Sequence, residues 1–172
     1  MDLLMEGAEV LATTAQIALG IIGFAGVVIA LDEPAKAINQ VGKYRLLVLI
    51  FMSAGALFLS LLPFALHHVG LTTENVWRTS SLLLAIFTGI FLAWFWPASR
   101  RIWQAVPEIF HTPTFSVYLG LHIANFVFQG LNSSGRLGSV ELGVYLFGLV
   151  WLLLNSFIQF GRMLFVRPSR NN

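Results

Sequence analysis

The sequence predicts an all-α integral membrane protein, a polytopic bundle of five transmembrane helices that forms one domain over residues 1–172. Three observations predict this class. The 172-residue chain is 57% hydrophobic and only 10% charged, whereas soluble domains carry about 25% charged residues. A soluble chain of this length could not bury so much apolar side chain. The apolar residues also form five continuous segments, and the charged residues lie mostly between or beside them.

The five predicted spans cover residues of about 8–31, 46–66, 80–96, 114–131 and 142–165. Each is close to the ~20 residues that cross a ~30 Å hydrocarbon core as a helix. The segments are continuous rather than alternating, which argues against a transmembrane β-barrel. Because lipid cannot hydrogen-bond an exposed backbone, helices are the remaining way to span the bilayer.

The first span is expected to be a mature helix rather than a cleaved signal peptide. The residues before it include Asp2 and Glu6 and no Lys or Arg, whereas a secretory signal begins with a positively charged region. We therefore expect this end of the chain to lie outside.

The basic residues predict the orientation of all five spans. Cytoplasmic loops are enriched in Lys and Arg. With the N-terminus outside and the C-terminus in the cytoplasm, only Arg78 and Arg136 fall on the outer side. The cytoplasmic side then holds Lys36, Lys43, Arg45, Arg100, Arg101, Arg162, Arg167 and Arg170. Aromatic residues also fall near the predicted boundaries, with Trp77 on the outer side.

A short amphipathic helix is expected on the inner leaflet before the fourth span. Ile102, Val106, Ile109 and Phe110 recur at helical spacing, which is typical of a helix that lies in the membrane interface. Pro107 would kink or end it. The alternative is an ordered connector between the third and fourth spans.

The fourth span carries a polar face. Tyr118, His122, Asn125, Gln129 and Asn132 follow one another at spacings of four and three residues, which places them within ~80° on a helix. Because lipid penalises such a face, we expect it to point into the protein or into a water-filled path.

Similar polar positions occur on the fifth span, at Tyr145, Asn155 and Gln159, and on the first span, at Gln16. Together with the fourth span they predict a polar seam shared by spans one, four and five. Gly20 and Gly23 are candidates for close helix packing, since small residues let two helix backbones approach. The second and third spans are more uniformly apolar and are expected to form a lipid-facing wall.

Two interpretations of the polar seam stay open. It can consist of interhelical hydrogen bonds that hold the helices together, each worth ~0.6 kcal/mol on average. It can also line a hydrated path for a small solute, ion or proton. In the second case His122 can relay protons, because histidine titrates near physiological pH. In the first it is a neutral ring bonded to a neighbouring helix.

The sequence favours a protein without catalytic residues, metal or cofactor. The chain contains no Cys, and its carboxylates lie near span boundaries rather than in pairs at membrane depth. The midplane offers no second histidine to pair with His122 around a haem. A metal clasp of His67, His68 and Glu74 is a weak alternative, because adjacent histidines often only mark a helix end. The scattered basic residues argue against nucleic-acid binding.

These features predict a homo-oligomeric channel or transport protein for a small ion, proton or polar solute. The alternative is a non-catalytic structural or accessory subunit of a larger membrane complex. The expected partners are the lipid bilayer and either further copies of the chain or other membrane subunits. The segment Ile17–Leu31 resembles the opening of many bacterial membrane proteins, which implies the bacterial inner membrane.

Overall fold

The computed structural model of the chain describes residues 3–31, 40–105 and 112–165, which are almost entirely helical. The helices are α1 (Leu3–Leu31), α2 (Gln40–His68), α3 (Thr73–Ala105), α4 (Thr112–Ser133) and α5 (Glu141–Phe165), and a 3-10 turn at Gly138–Val140 precedes α5. The all-α class is therefore confirmed.

Four of these helices contain a segment long and apolar enough to cross a membrane. The segments are Gly7–Val28, Gln40–His68, Thr73–Gln104 and Gly138–Leu164. This supports a multi-pass membrane protein. The helix α4 is 22 residues long, but its polar side chains lower its mean hydropathy, so it is not among these four.

The helix α3 is longer than the sequence predicts. We expected the third span to end at Trp96 and a separate interfacial helix to follow, but α3 continues through Pro97 to Ala105. Proline lacks an amide proton and usually ends a soluble helix, whereas membrane helices tolerate it. The prediction of a separate helix is therefore wrong up to Ala105. The rest of that predicted helix, Val106 to Phe110, lies outside the described residues.

A glycine in a left-handed conformation ends α2. Gly70 has φ 95°, its amide donates to the His67 carbonyl at 2.9 Å, and the Leu71 amide donates to the Leu66 carbonyl at 3.2 Å. This pair of bonds is the Schellman motif, which satisfies carbonyls at a helix end. It allows the short turn from α2 into α3.

The chain divides into two compact units. Unit 1 comprises residues 1–8 and 62–148, and unit 2 comprises residues 9–61 and 149–172. The boundaries fall inside α1, α2 and α5 rather than in linkers. The single transmembrane domain that the sequence predicts therefore stays a prediction.

Within unit 2, one face of α2 belongs to the core. Half of the most apolar part of α2 is buried, compared with 28% for α1. Val48, Leu49, Met52 and Ser53 have no solvent exposure. The Ser156 hydroxyl of α5 donates to the Leu49 carbonyl at 3.5 Å. The expected wall is therefore correct for only one face of α2, on which Leu47, Ile50 and Phe58 are exposed.

Within unit 1, α3 packs against α4 and is two-sided. One face is fully buried and includes Ser81, Leu84, Thr88 and Phe91, whereas Leu82, Ile86 and Ile90 are exposed. The lipid-facing wall is therefore correct for only one face of α3.

The turn between α4 and α5 yields the first testable prediction. Gly135 has φ 71°, and a Cβ added there would collide with the Arg78 guanidinium. We expect Gly135→Ala to lower the free energy of unfolding by about 1–2 kcal/mol, since side chains disfavour the left-handed region, and to displace Arg78. Thermal unfolding in detergent measures the effect.

Two matched glycines provide the controls. Gly138 has φ 54° but open space around its Cβ position, so Gly138→Ala tests the backbone strain without the collision. Gly143 lies in α5, also with open space, and Gly143→Ala should stabilise slightly. Equal melting temperatures for the 135 and 143 variants would contradict the prediction.

Candidate functional site

The polar side chains of α4 form a buried row in unit 1. The buried row consists of His122, Asn125, Gln129 and Asn132, each at most 1% exposed. The outward face of α4 is apolar, with Val117, Leu121, Ile123, Phe126, Val127 and Phe128 all exposed. The helix therefore turns its polar groups into the protein and its apolar groups outward.

Two amides of the buried row connect α4 to its neighbours. The Asn132 Nδ2 donates to the Ser81 hydroxyl of α3 at 2.8 Å and to the Glu141 carbonyl of α5 at 2.9 Å. The Gln129 Nε2 donates to the Val144 carbonyl at 2.8 Å and to the Asn125 Oδ1 at 3.3 Å. These bonds hold the beginning of α5 against α4.

A glycine permits this close approach. A Cβ added at Gly148 would lie 2.5 Å from the Gln129 Nε2, 2.7 Å from the Leu84 Cδ2 and 2.9 Å from the Asn125 Oδ1. Real Cβ atoms essentially never come within 3.0 Å of another heavy atom. The absence of a side chain at Gly148 is therefore what lets α5 reach the buried row.

Aromatic rings surround His122 at the other end of the buried row. Its ring centroid lies 4.8 Å from that of Phe91, 4.7 Å from that of Tyr118 and 6.4 Å from that of Phe95. His122 thus sits in an apolar environment between α3 and α4. Tyr118, half-buried, contributes a polar hydroxyl to the same cluster.

Charged side chains lie near the Asn132 end of the buried row. The Arg78 Nε lies 3.3 Å from the Glu141 Oε1, and Arg78 also pairs with Glu74 one helical turn earlier. Glu141 is 7% exposed, so this pair is partly shielded from solvent. The charged side chains of Arg78, Glu74 and Glu141 thus lie beyond the end of the buried row rather than along it.

Trp77 lies inside unit 1. It is 2% exposed, and its ring centroid lies 6.0 Å from that of Tyr145. The sequence places Trp77 near the outer boundary, which stays a prediction, but its side chain faces the protein on the same side of α3 as Ser81. Tyr145 is fully buried as well.

Several buried polar atoms make no hydrogen bond with any described residue. Four of them, in unit 1, are the Asn125 Nδ2, the Gln129 Oε1, the Asn132 Oδ1 and the Trp77 Nε1. Two are donors and two are acceptors. Buried polar atoms that lack a protein partner are normally satisfied by water or by a ligand. Each of these atoms can therefore form a further hydrogen bond with water or with a hydroxyl or amide group of a small neutral molecule.

The remaining residues of the predicted polar seam belong to unit 2. Asn155 and Gln159 are buried in unit 2, where the Asn155 Nδ2 donates to the Trp151 carbonyl of its own helix. Gln16 of α1 is exposed. Gly20 and Gly23 are exposed as well, and a Cβ at either would meet no atom within 4 Å.

Sequence reasoning missed Ser81 and the decisive role of Gly148. Ser81 follows Trp77 by four residues and precedes Thr88 by seven, a helical spacing that marks the polar side of α3. Gly148 follows Tyr145 on the predicted polar face of α5. Neither signal shows which atoms meet, because the close approach depends on how the helices pack.

Comparisons with protein-family models, curated proteins and solved structures give no match to this chain. Among the described residues, no group of three or more His, Cys, Asp or Glu side chains could hold a metal ion. The function is therefore argued from the buried row itself.

The bonds of Asn132 yield a second prediction. We expect Asn132→Ala to lower the free energy of unfolding by about 1–2 kcal/mol, because it removes two buried interhelical hydrogen bonds. Thermal unfolding in detergent measures the change. The control is Ser133→Ala, because the Ser133 hydroxyl bonds only to the Gly130 carbonyl of its own helix. An equal change in both variants would show that the bonds to Ser81 and Glu141 add nothing.

Proposed function

We propose that this chain is a non-catalytic, homo-oligomeric transport protein of the bacterial inner membrane. It crosses the bilayer five times, with the N-terminus outside and the C-terminus in the cytoplasm. Its cargo is a small uncharged polar solute or a proton, which passes along the buried row of α4. The alternating distribution of Lys and Arg supports the orientation.

The two faces of α4 support its role as the fifth span. At about 1.5 Å per residue, its 22 residues extend about 33 Å, which is enough for the hydrocarbon core. The residues that lower its hydropathy are those of the buried row, at most 1% exposed. The surface that α4 offers to lipid is thus apolar, and mean hydropathy understates its fitness to span.

The four buried polar atoms without a described partner carry the transport proposal. Donors and acceptors at the Asn125, Gln129, Asn132 and Trp77 side chains can replace part of the hydration of a small polar molecule as it passes. The row contains no Asp, Glu, Lys or Arg, which argues against a path for metal cations or inorganic anions. Because the row is buried within unit 1, we place the path inside each protomer and not between subunits.

A structural or accessory subunit is the second candidate. The observation that favours it is the use of the Gln129 and Asn132 amides to bind helix carbonyls, together with the close packing at Gly148. On this interpretation the buried row only holds helices together. The two candidates differ in whether anything passes through the protein.

Flux through liposomes tests the transport proposal. The purified full chain is reconstituted, and proton entry is followed with an entrapped pH-sensitive dye while urea and glycerol entry are followed by light scattering. We expect at least one of these species to enter faster than into protein-free liposomes. Gly148→Ala should reduce that flux about tenfold or more, because its methyl group enters the row beside Gln129.

The matched control for this experiment is Gly143→Ala. Gly143 lies on α5 five residues before Gly148, about 140° around the helix, with open space at its Cβ position. Its flux should equal that of the unmodified protein. Circular dichroism and gel filtration show whether both variants fold. Entry no faster than in empty liposomes for all three probes would discard transport in favour of the accessory subunit.

The position of His122 gives a prediction about the proton. If protons are the cargo, His122→Gln should abolish the dependence of proton flux on pH, because the amide cannot take up and release a proton as an imidazole can. Urea flux serves as the control and should not change with pH in either protein. Tyr118 is the titratable side chain that contacts His122, so Tyr118→Phe should leave the pH profile in place. A profile unchanged in His122→Gln would remove His122 from the path.

A further inference from the structure

Gln16 is an exposed amide near the middle of a membrane-spanning helix. It lies within the candidate span Gly7–Val28, about 14 Å from Gly7 at 1.5 Å per residue. Its side chain is exposed and has no hydrogen bond to a described residue. At this depth the surrounding lipid offers neither a donor nor an acceptor.

This exposure distinguishes Gln16 from the other side chains that face outward near the middle of the described spans. On α2, α3 and α5 those positions hold apolar residues such as Phe58, Ile86 and Leu154. On α1 the Thr13 hydroxyl also faces outward, but it bonds to the Glu9 carbonyl of its own helix. Gln16 therefore requires a partner that this part of the chain does not supply.

The helix face around Gln16 carries small residues that leave room for another helix. Gly20, Gly23 and Val27 lie within about 60° of Gln16 at 100° per residue, and all are exposed. A Cβ at Gly20 or Gly23 would meet no atom within 4 Å. The buried side of α1 is different, since Leu11, Ala15 and Ala18 face the protein. A helix that docks at Gln16 can thus approach the α1 backbone closely.

We propose that this face, Gln16, Gly20, Gly23 and Val27, binds the same face of a second copy of the chain. A carboxamide carries both a donor and an acceptor. In a two-fold interface both copies use the same surface, and a residue at the symmetry axis meets its own counterpart, so two Gln16 side chains placed at the axis satisfy each other without any other polar group. From Gln16 to Val27 this face carries no charge, and Glu9, the exposed carboxylate on the same side of α1, lies about 10 Å from Gln16 along the helix.

This proposal deepens the homo-oligomeric part of the proposed function but requires only that α1 crosses the membrane. It places the contact between protomers on α1, away from the buried row of α4. The test therefore measures association alone. A failure of transport in liposomes would not contradict the α1 interface. A failure of association would not contradict transport within each protomer.

Cross-linking tests the interface, and the chain is convenient because it contains no Cys. The variants Gly23→Cys and Phe24→Cys place a thiol on the proposed face and about 100° away from it. In oxidised membranes that contain the full-length protein, we expect a covalent dimer from the first variant and little from the second. Dimers in equal amounts from both variants, or from neither, would overturn the proposal.

The contribution of the amide is tested in the Gly23→Cys background. Adding Gln16→Leu should weaken dimerisation about fivefold to thirtyfold, the effect of an interhelical hydrogen bond in model peptides. Gln16→Asn should restore most of the dimer, and Ile17→Leu is the matched control at a neighbouring exposed position. Because Gln16 faces outward, Gln16→Leu should fold normally, as circular dichroism will show. An undiminished dimer in Gln16→Leu, or cross-links only to a different protein, would refute the proposal.

Discussion

The hydrocarbon core of a bilayer supplies no hydrogen-bond partner, and the structure of unit 1 depends on this constraint. The amides and the imidazole of α4 would be costly on a lipid-facing surface. They are instead at most 1% exposed, and the Gln129 and Asn132 amides bond to α5 and α3. The same rotation of α4 presents its apolar face outward. One constraint thus decides both the packing of α4 and the place of the candidate site.

Close packing and polarity coexist at Gly148. Without a side chain there, α5 lies so near α4 that the Gln129 amide reaches the Val144 carbonyl. That amide then has its carbonyl oxygen left over, and the same is true of Asn132. The hydrogen bonds that hold the helices together therefore leave acceptors facing the interior. The proposal of a small neutral cargo rests on these acceptors.

Hydropathy does not distinguish a helix that faces lipid from one that faces protein, because both surroundings are apolar. This explains why the sequence suggested α2 as a wall, although Val48, Leu49 and Met52 are fully buried. The expectation for α1 failed for a different reason: its polar and small residues suggested an interior face, although Gln16 and Gly20 are exposed. The predicted third span ended too early, before Pro97, because a rule for soluble helices was applied to a membrane helix.

The sequence by itself determined the all-α class, the membrane-spanning character and the polar face of α4. These depend on composition and on a 3.6-residue period, both of which are local properties of the chain. Only the tertiary structure decided that this face meets Ser81 and the first turns of α5, that Trp77 lies inside, and that Gln16 faces outward. Periodicity shows which residues share a helix face, but which neighbour that face meets depends on close contacts between residues distant in the chain, such as that of Gly148 with Gln129.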